Sequence, residues 1–376
     1  MLKAAPNPFP LFFPPGLPVS NSEMNKPTSF VLDSLRIIAA ALVFIGHCSQ
    51  YWGWDTRGFG HAAVVIFFVL SGYVITASTL SRREVGAKDF IAARLSRLYS
   101  VVLPALALTA CAHVIGSTLR PTFYHQFGRP YEWLRYVITA FFCQNYWFFN
   151  ASPSTNTPFW SLSYEFCYYV LFGLAIFVRS QRAVIIALTV VVTIAGPTIM
   201  LLLPCWLVGA ALYLYPLPRR VKYGRIAFLV SALITLALIL YLPELPSPVG
   251  HPPLFFSSAF LSDWILSLQL ALTLWLFDSH FATWTVPSPV ASAVRFCADH
   301  TFSLYLYHYP LVILAAALVR GRRLSLFESL LAAVVILCLV LALSIVTESK
   351  RKVWRRAFHL VLGRFWPRSN AGAANS

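Results

Sequence analysis

An all-α integral membrane bundle, of about ten crossing helices, is the fold class this sequence predicts. Three observations predict it: the composition, the length of the apolar runs, and the placement of the basic residues. Of 376 residues 58% are hydrophobic and 11% charged, against roughly a quarter charged in soluble domains. The apolar runs are long enough to cross about 30 Å of hydrocarbon. The net charge of +16 sits in short clusters between those runs, as the positive-inside bias requires. It does not line one soluble face, so no nucleic-acid partner is expected.

Residues 1–29 are proline-rich and contain Phe12 and Phe13, without a basic start, a continuous apolar run or a small-residue cleavage site. They read as a retained flexible tail and not as a signal peptide. Eight clear spans follow at 30–50, 61–80, 98–118, 160–178, 224–242, 256–277, 301–319 and 327–346. The stretch 183–215 is too long for one ordinary span and slightly short for two, and Gly196-Pro197 marks a turn within it. Charge parity favours two passes. With two, Arg82, Arg83, Lys88, Arg94 and Arg97, then Arg179 and Arg182, then Arg219, Arg220, Lys222 and Arg225, and the tail from Lys350 all face the cytoplasm. Both termini are then cytoplasmic, and only the loop with Arg320, Arg322 and Arg323 dissents. The expected organisation is a tail at 1–29, a transmembrane domain at 30–348 and a basic cytoplasmic tail at 349–376, in a cytoplasmic membrane with the lipid bilayer as partner.

The longest connection, 119–159, then faces out. It carries Phe123, Tyr124, Phe127, Tyr131, Trp133, Tyr136, Phe141, Phe142, Tyr146, Trp147, Phe148 and Phe149. One reading is an aromatic belt at the membrane interface; the other is a platform or lid for a ligand, since flat rings offer apolar area with polar tips. The seven cysteines, Cys48, Cys111, Cys143, Cys167, Cys205, Cys297 and Cys338, are odd in number and never in C-x-x-C spacing. They read as packing residues, with neither a disulfide framework nor a metal site. No internal repeat of the kind found in many secondary transporters is evident.

Arg36 and His47 stand eleven positions apart in the first apolar run. Eleven steps return to nearly the same helix face, while the rise separates the two by roughly 16 Å. An intramembrane arginine usually faces a bundle interior or a wet cavity, so the pair suggests a channel with chemistry or ligand contacts at both ends.

The runs Leu32-Asp-Ser-Leu-Arg36 ending in Gly46-His47, Phe67-Phe-Val-Leu-Ser71-Gly72, Arg94-Leu-Ser-Arg97, Trp160-Ser-Leu-Ser-Tyr-Glu165 and Ser303-Leu-Tyr-Leu-Tyr-His308-Tyr-Pro310 together resemble the successive signatures of the acyltransferase family 3 membrane O-acyltransferases. The resemblance spans about 30–346 and rests on order and spacing together. It departs from the commonest pattern at Ile37, Gly46 and Phe166, none of which removes an ionisable residue. The chain resembles the stand-alone members without a fused SGNH-type domain. The resemblance implies transfer of an acyl group, commonly acetyl from acetyl-CoA or another acyl-CoA, to a hydroxyl of a glycan or other envelope or secreted molecule.

For that chemistry His47 is the expected general base, since imidazole suits proton removal near neutral pH; a structural histidine is the alternative. Cys48 points about 100° away on the helix and reads as packing. Arg36, Arg94 and Arg97 are expected to hold the phosphates of the donor, because guanidinium forks bind phosphate bidentately. For Arg94 and Arg97 a topology signal is the competing reading. Asp33, one turn before Arg36, can pair with it. Glu165 is expected to orient the base or to bind the substrate hydroxyl, or else to pair structurally. Ser71, Trp160, Ser163, Tyr305 and His308 are expected to contact substrate, the serines with the alternative of bonding their own backbone. His308 reads as pocket-lining or structural and not as a second base.

No G-x-S-x-G, P-loop, H-E-x-x-H or dinucleotide fingerprint occurs, which disfavours serine hydrolase, NTPase, zincin and Rossmann readings. No metal is expected. Two rivals remain: the same chemistry on a small metabolite such as a macrolide, and a transporter or flippase whose path Arg36 and His47 line.

Overall fold

The structure is a computed structural model that describes residues 26–52, 59–81, 86–215, 221–281, 283–319 and 324–365. Its helices run α1 Lys26–Trp52, α2 Phe59–Leu80, α3 Ala87–Leu119, α4 Pro121–Tyr124, α5 Glu132–Ala140, α6 Trp160–Phe177 and α7 Gln181–Ala195. They continue with α8 Pro197–Leu214, α9 Gly224–Tyr241, α10 Phe260–Phe281, α11 Ser288–Asp299, α12 Thr301–Leu318, α13 Leu326–Val346 and α14 Arg351–Phe365. Among the described residues no strand forms, and nine helical segments are long and apolar enough to cross a membrane. The tail before residue 26, the basic loop at 320–323 and the chain after 365 lie outside the described residues. Residues 26–29, assigned to the tail by sequence, already form the first turn of α1.

The stretch 183–215 is two helices. Gly196, at φ +81°, separates α7 from α8, a backbone conformation that costs glycine little and other residues more. Pro197 opens α8, where its missing N–H is one of the orphans of a helix start. Trp147 fixes the corner from outside, its N–H donating to the Ala195 carbonyl at 2.8 Å. α7 has 15 residues, about 22 Å of helix, and is the short tenth apolar segment.

Two elements differ from expectation. α3 begins at Ala87, eleven residues before the predicted span, because a helix continues past the hydrocarbon boundary where its charges meet water. The basic tail, for which no helix is expected from hydropathy, is helical over much of its length. Its residues 351–365 form α14, which lies along the extended part of α3: Phe358 packs on Tyr99 with ring centroids 5.7 Å apart, and His359 Nε2 stands 3.3 Å from Asp89 Oδ1.

α2, α6 and α12 are the most buried spans, while α9 and α13 turn most of their surface outward. α2 and α8 approach to backbone contact: a Cβ on Gly72 would overlap the Trp206 carbonyl oxygen, and one on Gly209 the Val69 carbonyl oxygen. Small residues permit this in membrane bundles, where dispersion and not hydrophobic expulsion joins helices.

The connection after α3 is only partly a belt. Tyr131, Trp133, Phe141 and Phe149 are exposed, but Tyr124, Phe127, Phe142 and Phe159 are buried. Its end folds into the bundle because α12 offers it a vacancy. Pro310 has no N–H, so the Leu306 carbonyl loses its helical donor, and Asn156 Nδ2 supplies one at 2.9 Å while also donating to Thr109 Oγ1 at 2.8 Å.

Candidate active site

A cleft opens between α1, α2, α3, α6 and α12. Its polar lining is Arg36, Ser71, Arg97, Ser161, Glu165, Thr301 and Tyr305, with Val64, Phe67, Phe68 and Phe302 among the apolar wall. One end is cationic. Arg36 Nη1 lies 3.3 Å from Asp33 Oδ1, and Arg295 of α11 binds the other oxygen of the same carboxylate at 2.7 Å. Thr301 and Phe302, in the first turn of α12, line the cleft beside these arginines, so the positive end of that helix points to the same region. Arg94 lies over the rings of Phe90 and Tyr169 and donates to Ser78 Oγ at 3.3 Å, and its Nε is buried without a partner. The cluster unites the three arginines singled out in the sequence and adds Arg295.

Tyr305 marks the other wall. Its hydroxyl donates to the Pro158 carbonyl at 3.0 Å, which leaves its oxygen as acceptor for the Ser161 hydroxyl at 2.9 Å. One turn further along α12, about 4.5 Å of rise, His308 faces His47. His47 Nδ1 and His308 Nε2 are 2.8 Å apart with the rings stacked at 22°, and His308 Nδ1 is 2.6 Å from the Leu304 carbonyl oxygen. A carbonyl only accepts, so in the neutral pair His308 carries its hydrogen on Nδ1 and accepts at Nε2. His47 must then donate from Nδ1, which leaves its Nε2 with the lone pair. The arrangement therefore sets His47 in the tautomer that can take a proton. Tyr309 packs edge-on to His47 at 4.6 Å between centroids, and its hydroxyl is 3.1 Å from that of Tyr51.

Glu165 is elsewhere. Its Oε1 accepts from the Ser71 hydroxyl at 3.1 Å and from the Tyr169 hydroxyl, and Ser71 Oγ in turn accepts from Trp206 Nε1 at 3.3 Å. The expectation that Glu165 orients the base is thus corrected: the group bonded to His47 is His308, and Glu165 belongs to the cationic end of the cleft. Trp160 is also corrected, since it is buried in rings, stacked on Phe256 at 4.5 Å and on His61 at 5.9 Å, and does not line the cleft. Ser163 is fully buried with an unpartnered hydroxyl and stands outside the lining as well. Sequence reasoning missed Arg295, the His308 pairing and a buried pair in which His61 Nε2 is 3.0 Å from both oxygens of Asp263. The available signal was the same for all: an ionisable residue inside or beside an apolar run.

Residues 30–348 match the acyltransferase domain of acyltransferase family 3. The chain belongs to that family. Among relatives of this family member, the Bacillus subtilis protein YrhL, named provisionally as a peptidoglycan O-acetyltransferase, is 26% identical over 87% of this chain and 56% of its own length. The O-acetyl transferase of Shigella phage Sf6 is 26% identical over 49% of this chain and 59% of its own. The O-acetyltransferase OatA of Staphylococcus aureus is 29% identical over 39% of this chain and 24% of its own. The chain thus spans little more than half the length of the first two curated relatives and about a quarter of the third. No solved structure matches. The five runs of sequence that resemble the family map onto α1, α2, α3, α6 and α12, the five helices that enclose the cleft.

Proposed function

We propose that the protein is a multi-pass O-acyltransferase of the cytoplasmic membrane, moving an acyl group, acetyl in the first instance, from acyl-CoA to a hydroxyl of a glycan or lipid-linked sugar. The observation that carries this reading is the relay from the Leu304 carbonyl through His308 to His47, one helical turn past the wall of an arginine-ended cleft. The named activity of the relatives supports the acetyl group, and the peptidoglycan acetylation in one of those names supports a glycan acceptor. Arg36, Arg94 and Arg97 hold the donor phosphates, and the thin pantetheine arm runs along the cleft toward His47. His47 Nε2 removes the acceptor hydroxyl proton as oxygen attacks the thioester carbonyl. The new C–O bond forms, the C–S bond breaks, and the thiolate recovers the proton from His47. His308 Nε2 accepts from His47 Nδ1 throughout, which steadies the imidazolium of the intermediate stage. Glu165 offsets part of the arginine charge and, with Ser71, frames the donor. Both termini and the donor entrance face the cytoplasm.

The test is incubation of the purified chain with radiolabelled acetyl-CoA and an envelope glycan extract, read both as label transferred and as free CoA released. Label should pass to alkali-labile ester on the glycan. Absence of both transfer and thioester hydrolysis in folded protein would remove the reading.

A further inference from the structure

α11 packs on α1 and leads through His300 directly into α12, whose first turn lines the cleft. It places Arg295 on a carboxylate that already serves another arginine. Asp33 is 4% exposed and carries one negative charge, with Arg36 on Oδ1 and Arg295 on Oδ2. Arg97 and Arg295 both lie near enough to repel Arg36, so a single buried acid balances two of the three. The two nearby glutamates act on Arg97 and bond neither Arg36 nor Arg295 among the described residues: Glu165 accepts from the Ser71 and Tyr169 hydroxyls, and Glu348 from Ser303 N, Ser303 Oγ and Ser344 Oγ. Asp299 stands 4.0 Å from Arg295 Nε, too far for a hydrogen bond.

The two arginines on Asp33 also differ in depth. The Arg36 side chain is 14% exposed and the Arg295 side chain 54% exposed. Arg36 lines the cleft, and Arg295, outside that lining, is joined to it through Nη1 on the shared Asp33 carboxylate. A ligand that satisfies both must carry anionic groups at two positions along its length, the deeper one adjoining a thin chain that continues inward. Coenzyme A has this form: its diphosphate adjoins pantetheine, and its 3′-phosphate lies beyond, on the ribose.

Building on the acyl-CoA reading above, we infer that Arg295 is a rim subsite for the 3′-phosphate of the donor, and that Asp33 positions it beside Arg36. The subsite makes the chain distinguish coenzyme A from its analogue lacking that phosphate. One charge-assisted contact to a phosphate dianion corresponds to roughly a tenfold to hundredfold difference in affinity.

The experiment measures binding of CoA and of dephospho-CoA to the purified full chain in zwitterionic nanodiscs, for wild type, Arg295→Ala, Arg295→Lys and Arg36→Ala. Arg295 is half exposed, and its removal leaves Asp33 paired with Arg36, so the alanine variant keeps the fold. The expected result is a preference for CoA of about tenfold or more in wild type. It falls to near parity in Arg295→Ala and is partly kept in Arg295→Lys, while Arg36→Ala weakens both ligands alike. A wild-type preference that survives Arg295→Ala overturns the inference and leaves the donor reading standing. So does equal binding of the two ligands by wild type, the result expected if Arg295 instead serves a lipid phosphate. Binding of neither ligand by folded wild type, with Arg36→Ala indistinguishable from it, overturns the donor reading as well.

Discussion

In the proposed mechanism His47 and His308 divide one task, and their substitutions separate accordingly. His47→Ala removes the base and is expected to lower transfer by about 10²-fold to 10⁴-fold, with donor affinity close to wild type. His308→Phe keeps an aromatic ring on the stack but removes the acceptor nitrogen. The turnover rate at saturating donor should then fall by about tenfold or more, since a single charge-assisted hydrogen bond contributes about 1.5–3 kcal/mol. Turnover at the wild-type rate in His308→Phe would reject the relay. Arg36→Ala should instead raise the donor KM by about tenfold with the acceptor KM unchanged, read from initial rates against varied acetyl-CoA. Arg36 and His47 were legible in the sequence because ionisable groups in an apolar run need a reason. The role of His308 was not, because its partner is 261 positions away and no local pattern encodes which ring nitrogen a carbonyl will fix. Glu165 was legible as a polar anomaly, but not in direction: whether it faces the base or the arginines depends on how α6 is rotated against α2.

At the scale of elements, the α2–α8 crossing depends on two glycines. Gly72→Ala or Gly209→Ala puts a methyl group into a facing carbonyl, and the helices must separate or shift, an overpacking penalty of about 1–3 kcal/mol. Both variants should lose thermal stability in detergent, and Gly72→Ala should also lose activity through its neighbour Ser71, which bonds Glu165. Asn156→Ala acts from the other side. It strips the Leu306 carbonyl of the donor that Asn156 Nδ2 supplies, costing about 1–3 kcal/mol for an unsatisfied buried acceptor, and should loosen the end of the 120–159 connection. Limited proteolysis of that connection checks it: cleavage no faster than in wild type would contradict the assignment. The Gly196-Pro197 corner was readable from two residues, since few other dipeptides stop one helix and start the next. The start of α3 and the α14 helix were not, because hydropathy marks where hydrocarbon ends and not where a helix does.

For the whole molecule, the functional parts follow α12. Within two turns that helix supplies Thr301 and Phe302 at the arginine end of the cleft, Tyr305 on its wall and His308 behind His47. Its N-terminal turn and α11 lie at the proposed donor entrance, while the 120–159 connection packs against the later turns of the helix. A cysteine-free chain carrying either Asn150→Cys or the native Cys297 should therefore react from opposite faces with an impermeant maleimide in intact cells, Asn150→Cys from outside. Labelling of both from one face would reject the proposed orientation. The long-range arrangement of these helices could be anticipated from charge parity only as an even number of crossings, because hydropathy carries no information on which spans become neighbours. In the proposed relay the orienting group behind His308 is a main-chain atom, with a consequence for how this protein can vary. A side-chain orienter is lost to one point mutation, whereas the Leu304 carbonyl survives every substitution at position 304. Residue 304 is thus free to drift in size and shape within its packing, and the direction of the proton path stays inherited from the helix itself.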